Sequence, residues 1–282
     1  MKRVLLVGGS GQLGTAIARR WLDCAIVAPS HDELAIERSE QLAREMDRIA
    51  PDVLVNAAAF HDVDRCERQP NEAFEINAHA VGRAARLSAQ RDTLFVTLST
   101  DYVFDGAKGE PYTEIDRPNP LSVYGASKLE GENLTQSSGA RTFVVRTCGV
   151  YGPSRSVAQR RPFIDRILAQ RGTEEPVPVV ADVIASPTFA GDLADALRAL
   201  IESDGYGLYH AAGAGAVSWY DFACEAKRQA RVDLRIEPIA AAQWKAIAIR
   251  PRFSALENAK LGELGIALPP WRDGIAAYLG VR

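Results

Sequence analysis

Five short apolar runs punctuate the first half of the chain: Val4 to Val7, Ala25 to Ala28, Val53 to Ala58, Leu94 to Leu98 and Phe143 to Val145. They are brief and continuous rather than alternating, which suits strands covered on both faces. The stretches between them, such as Leu13 to Leu22 and Asn71 to Gln90, are long enough for crossover helices. This rhythm predicts an α/β protein with a doubly wound parallel sheet. After Tyr151 the pattern changes. Gly152 to Pro162, with two prolines and three arginines, reads as a loop. Val177 to Val180 reads as a strand. Ser186-Pro187 is expected to open a helix through Leu200, with the serine as N-cap and the proline in the first turn. Ser218 is placed to cap a helix to about Ala230. Arg235 to Ile239 reads as a strand and Arg272 to Leu279 as a final helix. The C-terminal third is therefore a smaller α+β region.

Candidate chemistry begins where the first run ends. Gly8, Gly11 and Gly14 have GxxGxxG spacing between a strand and a helix. Such glycines allow a tight turn, a close approach of backbone N–H groups to a pyrophosphate, and close packing of helix on strand. The loop assigns Gly8, Ser10, Gly11, Gln12 and Leu13 to a dinucleotide, with the helix N-terminus facing its phosphates. The fold expected is thus Rossmann-type. Residues 1–150 form the NADP(H)-binding domain, with 177–202 returning to it, and 151–282 are mainly a substrate-binding region. An acid at the end of the second strand would bind a ribose 2′-hydroxyl and disfavour a 2′-phosphate. Ser30 and His31 stand there instead, with Arg19 or Arg20 as candidate helpers. NADP(H) is favoured and NAD(H) stays open. Asn56, Ala57 and Ala58, at the end of the third strand, are small enough to lie beneath an adenosine or ribose.

The reaction is read from Thr100, Tyr124 and Lys128. Tyrosine and lysine four apart share one helix face. Thr100 follows the run Thr93 to Leu98, which reads as a buried strand. Lys128 is expected to hold the nicotinamide ribose and, by its charge, to lower the Tyr124 pKa. Tyr124 then gives a proton to a carbonyl oxygen held by Thr100, as hydride reaches the carbon. Arg155, Arg160 and Arg161 are weighed as a diphosphate clamp against a solvated loop, and the solvated loop is favoured.

Bulk properties narrow the picture further. The 282 residues are 47% hydrophobic and 24% charged, an ordinary composition for a soluble globular chain. A net charge of −3 gives no global basic field for nucleic acid. No apolar run reaches about 18 residues, so no membrane span is expected. Met1 to Val7 reads as a first strand, too short for a signal peptide. Cys24, Cys66, Cys148 and Cys224 lack metal or disulfide spacing and are expected as free thiols in the cytoplasm. His61, His79 and His210 show no metal-ligand spacing, and no metal site is assigned.

With these residues in hand, the chain resembles the dTDP-4-dehydrorhamnose reductase family of the extended short-chain dehydrogenase/reductase superfamily. The matching motifs are Gly8 to Gly14; Asn56 to Ala59 with Val63 and Asp64; Ser99 to Gly106; Tyr124 to Glu132; Arg146-Thr147 with Val150 to Gly152; Ser186 to Thr188; and Arg250 to Leu256. The resemblance implies reduction of the 4-keto group of dTDP-6-deoxy-4-keto-L-lyxo-hexose to dTDP-L-rhamnose, a polysaccharide precursor. It implies that Asp101 and Tyr102 face the sugar and that Arg250 sits near the nucleotide. It also makes a homodimer compatible with the family and leaves Mg2+ open. Three positions depart from the family pattern. Gly149 replaces a tryptophan against which the sugar packs, Val183 replaces a glutamine, and Leu34-Ala35 replaces a Leu-Asp. Two readings stand beside the ketoreductase. One is an epimerase or dehydratase on the same scaffold, for which Asp101 would be the additional acid. The other is an NADP-binding regulatory subunit resembling the β subunit of methionine adenosyltransferase.

Overall fold

The computed structural model describes residues 1–155 and 161–280. Its strands are β1 (Arg3–Val7), β2 (Ala25–Val27), β3 (Val53–Asn56), β4 (Leu94–Thr100), β5 (Thr142–Thr147), β6 (Val177–Val180), β7 (Ile184–Ala185), β8 (Gly207–His210), β9 (Val217–Ser218) and β10 (Ile236–Ile239). The helices are α1 (Gln12–Arg20), α2 (Ser39–Ile49), α3 (Val63–Arg68), α4 (Pro70–Phe74), α5 (Ala80–Ala89), α6 (Val123–Gln136), α7 (Phe163–Leu168), α8 (Ala190–Leu200), α9 (Trp219–Ala230), α10 (Ala259–Glu263) and α11 (Trp271–Leu279).

Six strands pair in the order β2-β1-β3-β4-β5-β8, every pair parallel. Alternate side chains of β1 serve opposite faces. Val4 and Leu6 join Ile17, Trp21, Leu193 and Leu197 under α1 and α8. Leu5 and Val7 join Leu42, Met46, Val81 and Phe95 under α2 and α5. The Trp21 indole N–H donates to the Ala194 carbonyl at 2.8 Å and ties α1 to α8. The chain leaves β1 toward β2 on one side and returns to β3 on the other. The carboxyl ends of β1 and β3 therefore form the switch point at which such sheets bind ligands.

The 177–202 segment divides. Val177–Val180 pairs with β10 in a separate two-stranded sheet, whereas α8 packs on α1 and leads into β8 at the sheet edge. The short pair β7–β9 is antiparallel. The helix expected from Ser186 begins at Ala190 instead, with Phe189 as N-cap. The Ser186 hydroxyl donates to the Gly215 carbonyl at 3.0 Å and accepts from the Leu256 N–H at 3.2 Å, so it crosslinks loops rather than capping. The helix expected over 71–90 is interrupted by a π turn at Glu75–His79. There Asn77 turns its amide inward to the Phe60 carbonyl (3.0 Å) and the Ser127 hydroxyl (3.1 Å) on α6. Ser218 caps α9 as expected, accepting from the Asp221 N–H at 2.9 Å.

Candidate active site

The glycine loop crosses the switch point tightly. Gly8 has φ +82, and a Cβ there would stand 2.7 Å from the Ala57 and Ala58 backbone. A Cβ on Gly14 would stand 2.3 Å from the Gly8 carbonyl oxygen. Any side chain at either position would push the loop off β3 or α1 off the loop. The N-cap of α1 is Gly11, with no side-chain cap and no acid in the first turn. Its first N–H groups are thereby left for an outside acceptor. The buried Gln12 Oε1 also has no hydrogen-bond partner. An uncapped helix end and a cradle closed to side chains together fit a dinucleotide pyrophosphate, while the Gln12 amide oxygen, itself an acceptor, is left for a donor such as a ribose hydroxyl. Leu13 is buried in the sheet core, so only its backbone belongs to this cradle. From the far side, the Ser154 hydroxyl and the Arg155 N–H both donate to the Ser10 carbonyl, at 3.0 and 2.9 Å. Arg155 thus stands at the glycine loop with an exposed side chain, and Arg161 is exposed as well. Arg160 lies outside the described residues.

Ser30 and His31 are exposed beyond β2. The Glu33 carboxylate accepts from the Ser30 N–H (2.8 Å) and hydroxyl (2.9 Å), closing a local turn. Those two bonds hold the Glu33 carboxyl below its ordinary range. Arg38, which the sequence reading did not single out, donates to the Asp32 carbonyl at 2.9 Å and adds a guanidinium to this loop. Arg19 and Arg20 sit in the last turn of α1, at the opposite end of the helix from the glycine loop. Arg20 is paired there with Asp195 at 2.5 Å, so the helper role expected of these arginines does not hold. Asn56 turns its side chain inward, where it bonds the Thr97 hydroxyl (3.3 Å) and the Ala58 N–H (3.1 Å). Ala57 and Ala58 stay partly exposed.

Thr100, Tyr124 and Lys128 converge at the carboxyl end of β4. The Ser122 hydroxyl caps α6 by accepting from the Gly125 N–H at 3.2 Å. Glu67 of α3 accepts from the Val123 N–H at 2.8 Å. These caps fix the first turn of α6, which carries Tyr124. Its hydroxyl faces Thr100, whose side chain pulls the phenol pKa down against burial. Its ring meets Tyr102 edge-on, with centroids 5.7 Å apart. One turn on, Lys128 is 4% exposed and donates from Nζ to the Leu98 carbonyl at 2.6 Å.

The electrostatics differ from the sequence expectation. Tyr124 keeps part of its surface open, yet burial around its hydroxyl raises its pKa, and the Asp101 carboxyl adds to the rise. Burial likewise lowers the Lys128 ammonium to about 8, against a smaller upward pull from Glu132. The phenol acidified by a neighbouring cation is therefore not present in the protein alone. Both groups sit in low dielectric, and desolvation is the largest influence on each.

Asp101 also differs from expectation. Its carboxyl is buried and accepts from Thr100 Oγ1 (3.1 Å), Cys148 Sγ (3.1 Å) and Ser254 Oγ (2.6 Å). Burial raises its pKa over the opposing hydrogen bonds. Three donors from its own chain hold it, so Asp101 braces the site rather than facing a sugar. Tyr102 stays partly exposed beside Tyr124. Arg250, expected near the nucleotide, pairs with Asp64 through two contacts of 3.3 and 3.2 Å. Asp64 also accepts from the N–H groups of Ile247 (3.1 Å) and Ala248 (3.0 Å), latching this loop to α3. Burial opposes ionisation of Asp64, but the Ala248 N–H and the Arg250 guanidinium outweigh it and hold its pKa down.

Beneath the site lies a buried network that the sequence reading did not assign. Arg146 on β5 makes a two-pronged ion pair with Glu132 on α6, at 2.9 and 2.6 Å. The Ser99 hydroxyl adds a 2.5 Å bond to Glu132. The Arg146 guanidinium lies 5.1 Å from the Phe104 ring centroid and 3.5 Å from His210 Nε2. Burial, then the Arg146 charge, lowers His210 to about 3, so it is neutral. One signal was legible: Glu132 stands four residues after Lys128, on the same face of the helix. Among the described residues, no group of three or more His, Cys, Asp or Glu is placed to hold a metal ion. No helix among them is long and apolar enough to cross a membrane.

Comparison with known proteins gives this geometry a family. The chain is 36% identical to the dTDP-4-dehydrorhamnose reductase of Burkholderia thailandensis, covering 97% of this chain and 96% of that protein. It is 32% identical to the spore coat polysaccharide biosynthesis protein SpsK of Bacillus subtilis, covering 100% and 98%. The crystal structure of the Bacillus anthracis dTDP-4-dehydrorhamnose reductase in complex with NADP superposes with a TM-score of 0.94 at 30% identity, covering 100% and 99%. Residues 1–281 match the RmlD substrate binding domain, and the chain belongs to that family.

Proposed function

We propose that this protein is an NADP(H)-dependent ketoreductase that reduces the 4-keto group of a dTDP-linked 6-deoxyhexose, as in the formation of dTDP-L-rhamnose. The observation that carries the reading is the facing Thr100–Tyr124 pair, one helical turn from the buried Lys128 and level with the carboxyl end of β4. The Gly8–Leu13 cradle and the Ala57–Ala58 turn hold the cofactor, with Arg155 beside its pyrophosphate and Ser30, His31 and Arg38 beside its adenosine ribose. When bound, the dihydronicotinamide supplies hydride. Tyr124 then supplies the proton to the substrate oxygen, which Thr100 orients. A raised phenol pKa keeps Tyr124 protonated and ready as the acid at neutral pH. Lys128 carries its charge below about pH 8 and stabilises the tyrosinate left behind.

Held inside the protein, Asp101 is poorly placed as the additional acid of a dehydratase. The intact Thr100–Tyr124–Lys128 set likewise favours turnover over a purely regulatory cofactor site. We place the reaction in the cytoplasm, in line with four free thiols. The test is NADPH oxidation with a panel of dTDP-4-keto-6-deoxyhexoses. Stoichiometric oxidation with one of them is the expected result. Conversion of the sugar without net consumption of NADPH would identify an epimerase or dehydratase instead.

A further inference from the structure

Gly149 and Val183 stand out from the chain's other motifs, and both meet Trp219, Gly149 at the indole and Val183 at the backbone. Thr147 lies opposite Thr100 in the β4–β5 register, so Gly149 follows two residues beyond the level of the Thr100–Tyr124 pair. It is exposed, with φ +49. A Cβ at Gly149 would lie 2.9 Å from Trp219 Cη2 and 3.4 Å from its Cζ2. The Trp219 backbone N–H donates to the Val183 carbonyl at 3.3 Å, which anchors the residue's main chain. On its other side the indole is braced by Phe163, centroids 4.9 Å apart, and by Phe222 at 5.9 Å. Trp219 is only half-buried. A rigid aromatic ring is thus propped from behind and brought against bare backbone just past the carboxyl end of β5. The C–H face of a hexose packs well on such a ring. The approach depends on Gly149, because any side chain there would adopt a strained φ and strike the indole.

We propose that Trp219 is the wall on which the sugar of the substrate packs, and that it is a specificity-determining residue for which keto sugar is reduced. The proposal deepens the ketoreductase reading and rests on it. The test is calorimetric titration of the NADP-loaded protein with dTDP-L-rhamnose and with dTDP alone, for wild type, Trp219→Ala, Trp219→Phe and Gly149→Ala. The gain in affinity contributed by the sugar should fall about tenfold in Trp219→Ala and about threefold in Trp219→Phe, whose shorter ring reaches less far. It should fall partway in Gly149→Ala, which displaces the indole. Affinity for dTDP alone and for NADP should hold within about twofold. Trp219→Phe and Gly149→Ala keep the test decisive where Trp219→Ala fails to fold. Three results would overturn the proposal: no sugar-dependent gain in wild type, an undiminished gain in the variants, or losses shared equally by dTDP, NADP and the sugar. Wild type that binds dTDP-L-rhamnose more tightly than dTDP, yet oxidises no NADPH with any keto sugar, overturns the ketoreductase reading and leaves the wall standing.

Discussion

Two successive turns of α6 treat buried charge in opposite ways. Toward its C-terminal half, Glu132 is closed into a complete set of partners: both prongs of Arg146 and the Ser99 hydroxyl. One turn earlier, Lys128 has, among the described residues, one hydrogen-bond partner, the Leu98 carbonyl, and is brought down to about 8 by burial. A satisfied network has one geometry and no reason to release a proton. An incompletely satisfied one keeps its protonation states close in energy, which is what proton transfer needs. The same helix thus provides a rigid floor and, one turn away, reactive groups standing on it.

That contrast predicts separable effects. Tyr124→Phe should lower kcat by about a thousandfold through loss of the proton donor, while NADPH affinity and Tm stay near wild type. Full turnover in this variant would falsify the assignment of Tyr124. Arg146→Met should do the reverse, lowering stability by about 3–5 kcal/mol in urea unfolding because Glu132 is left as an unpaired buried charge. Adding Glu132→Leu to Arg146→Met should recover most of the loss, since removing both charges also removes the desolvation cost.

A weaker effect follows from pH. The folded Lys128 pKa lies below its unfolded value, so between about pH 8 and 10.4 the unfolded chain binds more protons, and stability rises with pH across that window. The rise should be about 1–2 kcal/mol and should flatten in Lys128→Met, as read by urea unfolding at several pH values. Above about pH 10 Tyr102 and Tyr124, whose surroundings raise their pKa values, ionise later than in the unfolded chain and reverse the trend. Outside this helix, Asp64→Asn should loosen the loop at 247–250 and raise the KM for the nucleotide sugar about three- to tenfold with little change in kcat. Equal changes in both constants would argue that the latch acts on chemistry instead.

The parts of the molecule legible in the sequence are those with local patterns. The first five strands are apolar runs whose period and length suffice, and the glycine loop carries its geometry in its spacing. β8, by contrast, is only Gly207–His210, a run too short and too polar to stand out. Its place in the sheet depends on pairing with β5, far away in sequence. The helix start at Ala190 was missed because Ser186 has the composition of a cap, while its hydroxyl is claimed by loops around Gly215 and Leu256. At the site, residue types and helical spacing brought Tyr124 and Lys128 together. The Tyr124 pKa is raised where a lowered one was expected, because charge proximity can be read from spacing, whereas burial depends on the whole fold. Asp101 shows the same limit: its three donors come from three separate parts of the chain.

The late return of α8 and β8 has a consequence for engineering. A truncation after residue 155 would uncover Ile17 and Trp21 and bare the β5 edge that β8 covers. Such a fragment would present a greasy helix face and an unprotected strand, both invitations to self-association. The first 155 residues are therefore no transplantable cassette, and a swap between relatives has to carry the 190–210 stretch along with it.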